Sequence, residues 1–179
     1  EVVSGVVEEF YYTHIMYGLV NKAVRDMVIG KFGEERWRDI CEAAGCPPEE
    51  FTPLRPYPDD WTYRIVAAAS QSLGRSASEL LEAFGEYWIR FTAEEGYGDL
   101  MDLFGSDMRS CLRNLNQMHS RMGAMMPELE PPRFNMVEVS PTEVRLDYIS
   151  RRPGLSPMVI GLLKGLAEQH REKIRVEQL

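Results

Sequence analysis

Long apolar runs, clustered positive charge and pairable cysteines are all missing from this chain, and each absence removes a class of function. No stretch of about 18 uncharged apolar residues occurs, so no membrane-spanning helix and no membrane partner are expected. The residues after Glu1 lack the basic start and apolar core of a secretory signal. Positive charge is outnumbered, with 20 Lys and Arg against 28 Asp and Glu and a formal net charge of -8, and no basic stripe with interleaved aromatics is visible. Nucleic acid, whose phosphates reward clustered cations, is therefore not an expected partner. The three cysteines, Cys41, Cys46 and Cys111, cannot all pair and show neither a Cys-x-x-Cys motif nor zinc-like spacing. They read as reduced thiols of a cytoplasmic protein. What is present is 44% hydrophobic content over 179 residues, enough for the single sizeable core of one domain.

The periodicity divides that domain in two. Apolar positions Val20, Ala23, Val24, Met27 and Val28 mark a helix from Gly18 to Phe32, and Trp37, Ile40, Cys41 and Ala44 mark a second ending before Gly45. A proline-rich loop leads to Asp59 and Asp60, expected caps of a helix running to Leu73. Ser76 with Glu79 forms a capping-box pattern ahead of Phe84, Tyr87, Trp88 and Phe91. A short helix through Leu103 follows, and Ser106 is the expected cap of a long helix reaching about Met126. Beyond Pro131-Pro132 the period drops to 2, predicting a hairpin of Asn135–Val139 and Val144–Ser150. Ser156-Pro157 is expected to cap a helix over Met158–Gln169, and Ile174-x-Val176 to begin another strand. The fold class is α+β, with segment 16–126 mainly helical and segment 127–179 bearing an antiparallel sheet with helices.

Two patterns carry chemistry. Tyr148, Ser150 and Arg152 alternate through Val144–Arg152, so an extended strand would turn a phenol, a hydroxyl and a guanidinium to one face. Such a face suits a ligand with two carboxylates, one gripped by Arg and the rest met by hydroxyls. The same spacing also describes the wet side of an edge strand. Upstream, His119 falls within a helical stripe of Met108, Cys111, Leu112, Leu115, Met118, Met122 and Met125. An imidazole there is either a hydrogen-bonded core residue or an iron ligand. His14 and His170 read as surface residues.

Leu115-Asn116-Gln117-Met118-His119, then Pro131-Pro132, then Tyr148-Ile149-Ser150-Arg151-Arg152 together resemble the haem nitric oxide/oxygen-binding (H-NOX) family, related to the haem domain of soluble guanylate cyclase. The likeness extends to Met16-Tyr17-Gly18-Leu19-Val20-Asn21-Lys22-Ala23, to Phe84-Gly85-Glu86-Tyr87-Trp88 and to Glu94-Glu95-Gly96-Tyr97-Gly98, covering Met16 to Gln178. It implies haem b (iron protoporphyrin IX) between the two halves, with His119 as the axial ligand and Tyr148, Ser150 and Arg152 on the propionates. Pro132 is implied to press on the macrocycle, and Leu115 and Met118 to touch it. On the distal side the resemblance places Trp88, Met158, Val20 and Ala23. Met158 and Ala23 stand where oxygen-binding relatives carry tyrosine and tryptophan, and neither is a hydrogen-bond donor. Because bound oxygen needs such a donor far more than NO or CO does, the expectation is a nitric oxide and CO sensor. The resemblance implies signalling by release of the iron–histidine bond and haem relaxation, read by a partner such as a histidine kinase or a cyclase.

Alternatives are an oxygen-binding haem protein of the same family and a haem-free interaction module. A haem peroxidase would need a distal acid–base group, which the assigned positions lack, so no enzyme is expected. One further expectation concerns chain order. Val6–Thr13 is strand-like, and joining Lys173–Leu179 to Glu1–Val6 reads as a hairpin. Residues 1–15 are thus expected to complete the sheet as a circularly permuted strand, the alternative being an appended extension.

Overall fold

The computed structural model describes residues 15–47, 51–97 and 105–179. A short antiparallel pair opens it, β1 (Ile15–Tyr17) against β2 (Pro56–Pro58), with Met16 opposite Tyr57. Between them runs α1 (Gly18–Ala44), which kinks at Gly33, where φ is 85°. That left-handed value favours glycine and separates the two helical patterns expected from sequence. Gly45, at φ 61°, ends α1 by letting the Cys46 N–H reach the Cys41 carbonyl at 2.9 Å.

Helix α2 (Asp59–Leu73) and helix α3 (Ala77–Thr92) follow, α3 continuing into a π turn over Ala93–Tyr97. The Ser76/Glu79 capping box forms as expected, with Ser76 N donating to Glu79 Oε2 at 2.8 Å and Glu79 N to Ser76 Oγ at 3.2 Å. Helix α4 (Met108–Met125) carries His119. Strands β3 (Arg133–Ser140) and β4 (Glu143–Ile149) then form an antiparallel hairpin in which Phe134 faces Tyr148. Helix α5 (Ser156–Gln169) closes the ordered elements. Ile40, Ile65, Cys41 and Asn21 are the largest fully buried side chains of the helical core, while Met108, Leu112, Leu166 and Ala167 form a second cluster under the hairpin.

Helices α3 and α5 pack along their lengths because both meet at glycine. A Cβ on Gly161 would overlap the Glu82 carbonyl oxygen, and one on Gly85 would overlap that of Met158. Backbone oxygens cannot swing aside as side-chain ends do, so the helices would have to separate. Gly161→Ala is expected to destabilise the protein by about 1–3 kcal/mol, read as a lower urea midpoint at unchanged slope. A shift under about 0.5 kcal/mol, the range of neutral surface changes, would show that the crossing is looser.

Several expectations need correction. Asp59 and Asp60 lie inside the first turn of α2 and cap nothing; Pro58 precedes them, and Asp59 is drawn away by Arg152. Asp107, not Ser106, caps α4, because its carboxylate accepts from Ser110 N at 2.8 Å while its own N–H reaches Ser110 Oγ at 3.3 Å. Ser156 is the first residue of α5 and makes no cap bond; Leu155 holds the cap position. The strand expected at Ile174–Val176 does not form, residues 172–179 having no regular structure. Strand β4 stops at Ile149, so Ser150 and Arg152 reach their positions from a bend rather than from an extended run. The strand expected over Val6–Thr13, the helix through Leu103 and His14 lie outside the described residues. No helix among the described residues is long and apolar enough to cross a membrane.

Candidate functional site

A cavity of about 320 Å³ lies among α1, the end of α3, α4, the hairpin and α5. Its wall brings together His119, Leu115 and Met118 from α4, Pro132 ahead of the hairpin, and Tyr148, Ser150 and Arg152 at its end. Val20, Trp88 and Met158 line it from α1, α3 and α5. Ala23 does not. One turn beyond Val20 its methyl is fully buried in the helical core, too short to reach the cavity.

His119 is positioned by its neighbours in the helix and across the gap to the sheet. Asn116, one turn earlier on α4, clamps the edge of β3: its Nδ2 donates to the Phe134 carbonyl at 2.6 Å and its Oδ1 accepts from Phe134 N at 2.9 Å. Both backbone groups of Phe134 thus point to α4 and away from β4, which makes Phe134–Tyr148 a close, non-hydrogen-bonded cross-strand pair. The rings form a row, with His119 to Phe134 at 6.0 Å and Phe134 to Tyr148 at 5.4 Å between centroids. Burial lowers the pKa of His119 below the usual histidine range, opposed by a backbone hydrogen bond at Pro132. The ring is therefore neutral near pH 7, and its Nδ1 is buried with no hydrogen-bond partner. His119 lines the apolar cavity with a neutral imidazole, and Tyr148, Ser150 and Arg152 stand on the same cavity wall; these residues fit haem.

Arg152 is already organised. Its Nε donates to Asp59 Oδ2 at 2.8 Å, Nη1 to the Glu130 carbonyl at 2.7 Å and Nη2 to the Ile15 carbonyl at 2.7 Å. A guanidinium has five N–H donors, so about two remain for a carboxylate in the cavity. Both partners of the ion pair are almost fully buried, at 10% and 9% side-chain exposure, which makes the pair sensitive to loss of either member. The backbone N–H of Arg152 donates to Ser150 Oγ at 3.1 Å, leaving the Ser150 hydroxyl proton to donate elsewhere. The arginine ties β1, α2 and the segment after α4 together. Asp59 gave no signal in sequence, since an aspartate pair before a helix reads as a cap. Asn116 stands inside the Leu115–His119 motif, but no spacing in the sequence shows its contact with β3.

The wall contributed by α1, α3 and α5 offers few donors. Thr92 also lines the cavity, but its hydroxyl donates to its own helix, within 2.9 Å of the Trp88 carbonyl and 3.1 Å of that of Ile89. Trp88 packs on Phe84 and Phe91 with centroids at 5.9 and 6.0 Å.

Residues 17–178 match the model of the Haem-NO-binding family, so the chain belongs to that family of haem-binding gas-sensor domains. Among similar proteins, Soluble guanylate cyclase 89Db of Drosophila melanogaster is 26% identical over 154 residues, 86% of this chain and 23% of its own length. Soluble guanylate cyclase gcy-37 of Caenorhabditis elegans is 30% identical over 155 residues, 85% of this chain and 22% of its own length. The chain therefore spans less than a quarter of these cyclases. A solved H-NOX protein from S. oneidensis in the Fe(II)NO ligation state shares the fold at TM-score 0.81 and 24% identity, over 90% of this chain and 89% of that one. An oxygen-binding H-NOX domain in its oxygen complex shares it at TM-score 0.77 and 23% identity, over 90% and 85%.

Proposed function

We propose that this domain holds haem b on His119 and senses nitric oxide, and CO, in the cytoplasm, passing the signal to a cyclase-type or histidine-kinase partner. The observation that carries the gas assignment is the donor-poor distal wall of Val20, Met158 and a Thr92 hydroxyl committed to its own helix. When bound, haem would supply an iron able to bind a diatomic gas. His119 would hold the iron, Tyr148, Ser150 and the two remaining Arg152 N–H groups the propionates, and Pro132 the face of the ring.

The protein's own bonds supply a route outward. Displacement of His119 along α4 moves Asn116, which grips β3 by both backbone groups of Phe134. Glu130, just beyond α4, is tied through Arg152 to Ile15 and Asp59, so the same displacement strains the junction with the helical half. A partner binding one of the two resulting arrangements better would read the gas as a shift in population.

The test is gas selectivity of the ferrous protein. Its absorption spectrum is expected to change on adding CO and to show no stable oxygen complex in air. A long-lived oxygen complex would overturn the assignment and give Trp88, whose indole carries an N–H, the part of oxygen donor.

A further inference from the structure

His170 is not the surface residue its place in a polar stretch predicts. It is half-buried at the C-terminal cap of α5, with Nε2 3.4 Å from the Sγ of Cys111 on α4. Cys111 itself lines the cavity and packs on the second apolar cluster, beside Leu112, Leu163 and Leu166. The loop before α4 closes over this thiol because Gly105 has no side chain; a Cβ there would overlap Ser110 Oγ. The Gly105 carbonyl oxygen consequently lies 3.5 Å from Sγ. The haem-site reading uses neither Cys111 nor His170.

We propose that Cys111 and His170 form a thiol–imidazole pair that reacts with hydrogen peroxide, making Cys111 an oxidation site on the cavity wall. The imidazole Nε2 takes the thiol proton, and the thiolate sulfur attacks one peroxide oxygen. A sulfur–oxygen bond forms as the oxygen–oxygen bond breaks. The departing hydroxide collects the proton from the imidazolium and leaves as water, so that a sulfenic acid forms and peroxide is reduced by two electrons. The surroundings select this oxidant: peroxide is small and neutral and can cross an apolar wall, whereas a charged, bulky disulfide cannot. The two other thiols lack such help. Burial pushes Cys41 up to about 12 and raises Cys46 as well, and both are shut inside the helical core.

The full chain, with and without haem, is treated with limiting hydrogen peroxide and dimedone, and labelled peptides are quantified by mass spectrometry. Label is expected at Cys111 well ahead of Cys41 and Cys46. His170→Gly, at a helix cap where glycine is tolerated, should slow labelling by about a hundredfold, the scale of a lost general base. Added imidazole should restore it, which a purely structural role of His170 would not allow. Equal labelling of the three cysteines, or a His170→Gly rate matching the parent, would overturn the proposal, as would labelling that imidazole leaves unchanged. Cys111→Ser, nearly isosteric, should remove the fast phase of labelling; an undiminished initial labelling rate of the whole chain would overturn it too. Because the haem-free chain is tested alongside, failure here is distinguishable from failure of haem binding.

Discussion

His119→Gly is expected to weaken haem retention by at least about a hundredfold, since losing even an outer-shell partner of a metal ligand costs about 10–100-fold. The substitution leaves a ring-sized gap in a wall otherwise made of Leu115, Met118, Pro132 and Phe134. Imidazole added to the buffer can enter that gap and stand in for the side chain, so haem binding should return in its presence. The fold should survive, because a glycine within a helix costs only about 1 kcal/mol. Haem titration of the variant with and without imidazole reads both effects. Unchanged affinity would place the iron ligand elsewhere.

Arg152→Ala is expected to cost about 3–5 kcal/mol, the range for removing one member of a buried ion pair. Asp59, only 7% exposed, would be left as an uncompensated carboxylate, its Oδ1 being already without a partner. The Ile15 and Glu130 carbonyls would lose their bonds as well. For a domain whose total stability is about 5–15 kcal/mol, that is a large fraction. Adding Asp59→Ala to Arg152→Ala should recover part of the loss, since the stranded charge is then gone. Urea denaturation of the single and double variants measures the coupling. A cost below about 1 kcal/mol, the worth of an exposed pair, would mean that water reaches the bridge.

Much of this arrangement was legible in the sequence because it rests on local rules. The change of period at Pro131-Pro132 marks where helix gives way to hairpin, and the Ser76/Glu79 box marks the start of α3. The motif residues His119, Pro132, Tyr148, Ser150 and Arg152 do converge on one cavity. What could not be read depends on distant partners. Asp59 meets Arg152 across 93 positions and Cys111 meets His170 across 59, and no spacing rule encodes either encounter. Ala23 illustrates a different failure: a helical face is known from sequence, but which of its positions reaches a cavity depends on side-chain length and on how the neighbouring helix sits.

Haem coordination is tested most directly by the absorption spectrum of the ferrous protein before and after nitric oxide. A starting spectrum of iron with five ligands, one of them histidine, that changes on NO to one lacking the iron–imidazole bond is the predicted result. Absence of haem absorption after reconstitution, or a ferrous spectrum unaltered by NO, would contradict it.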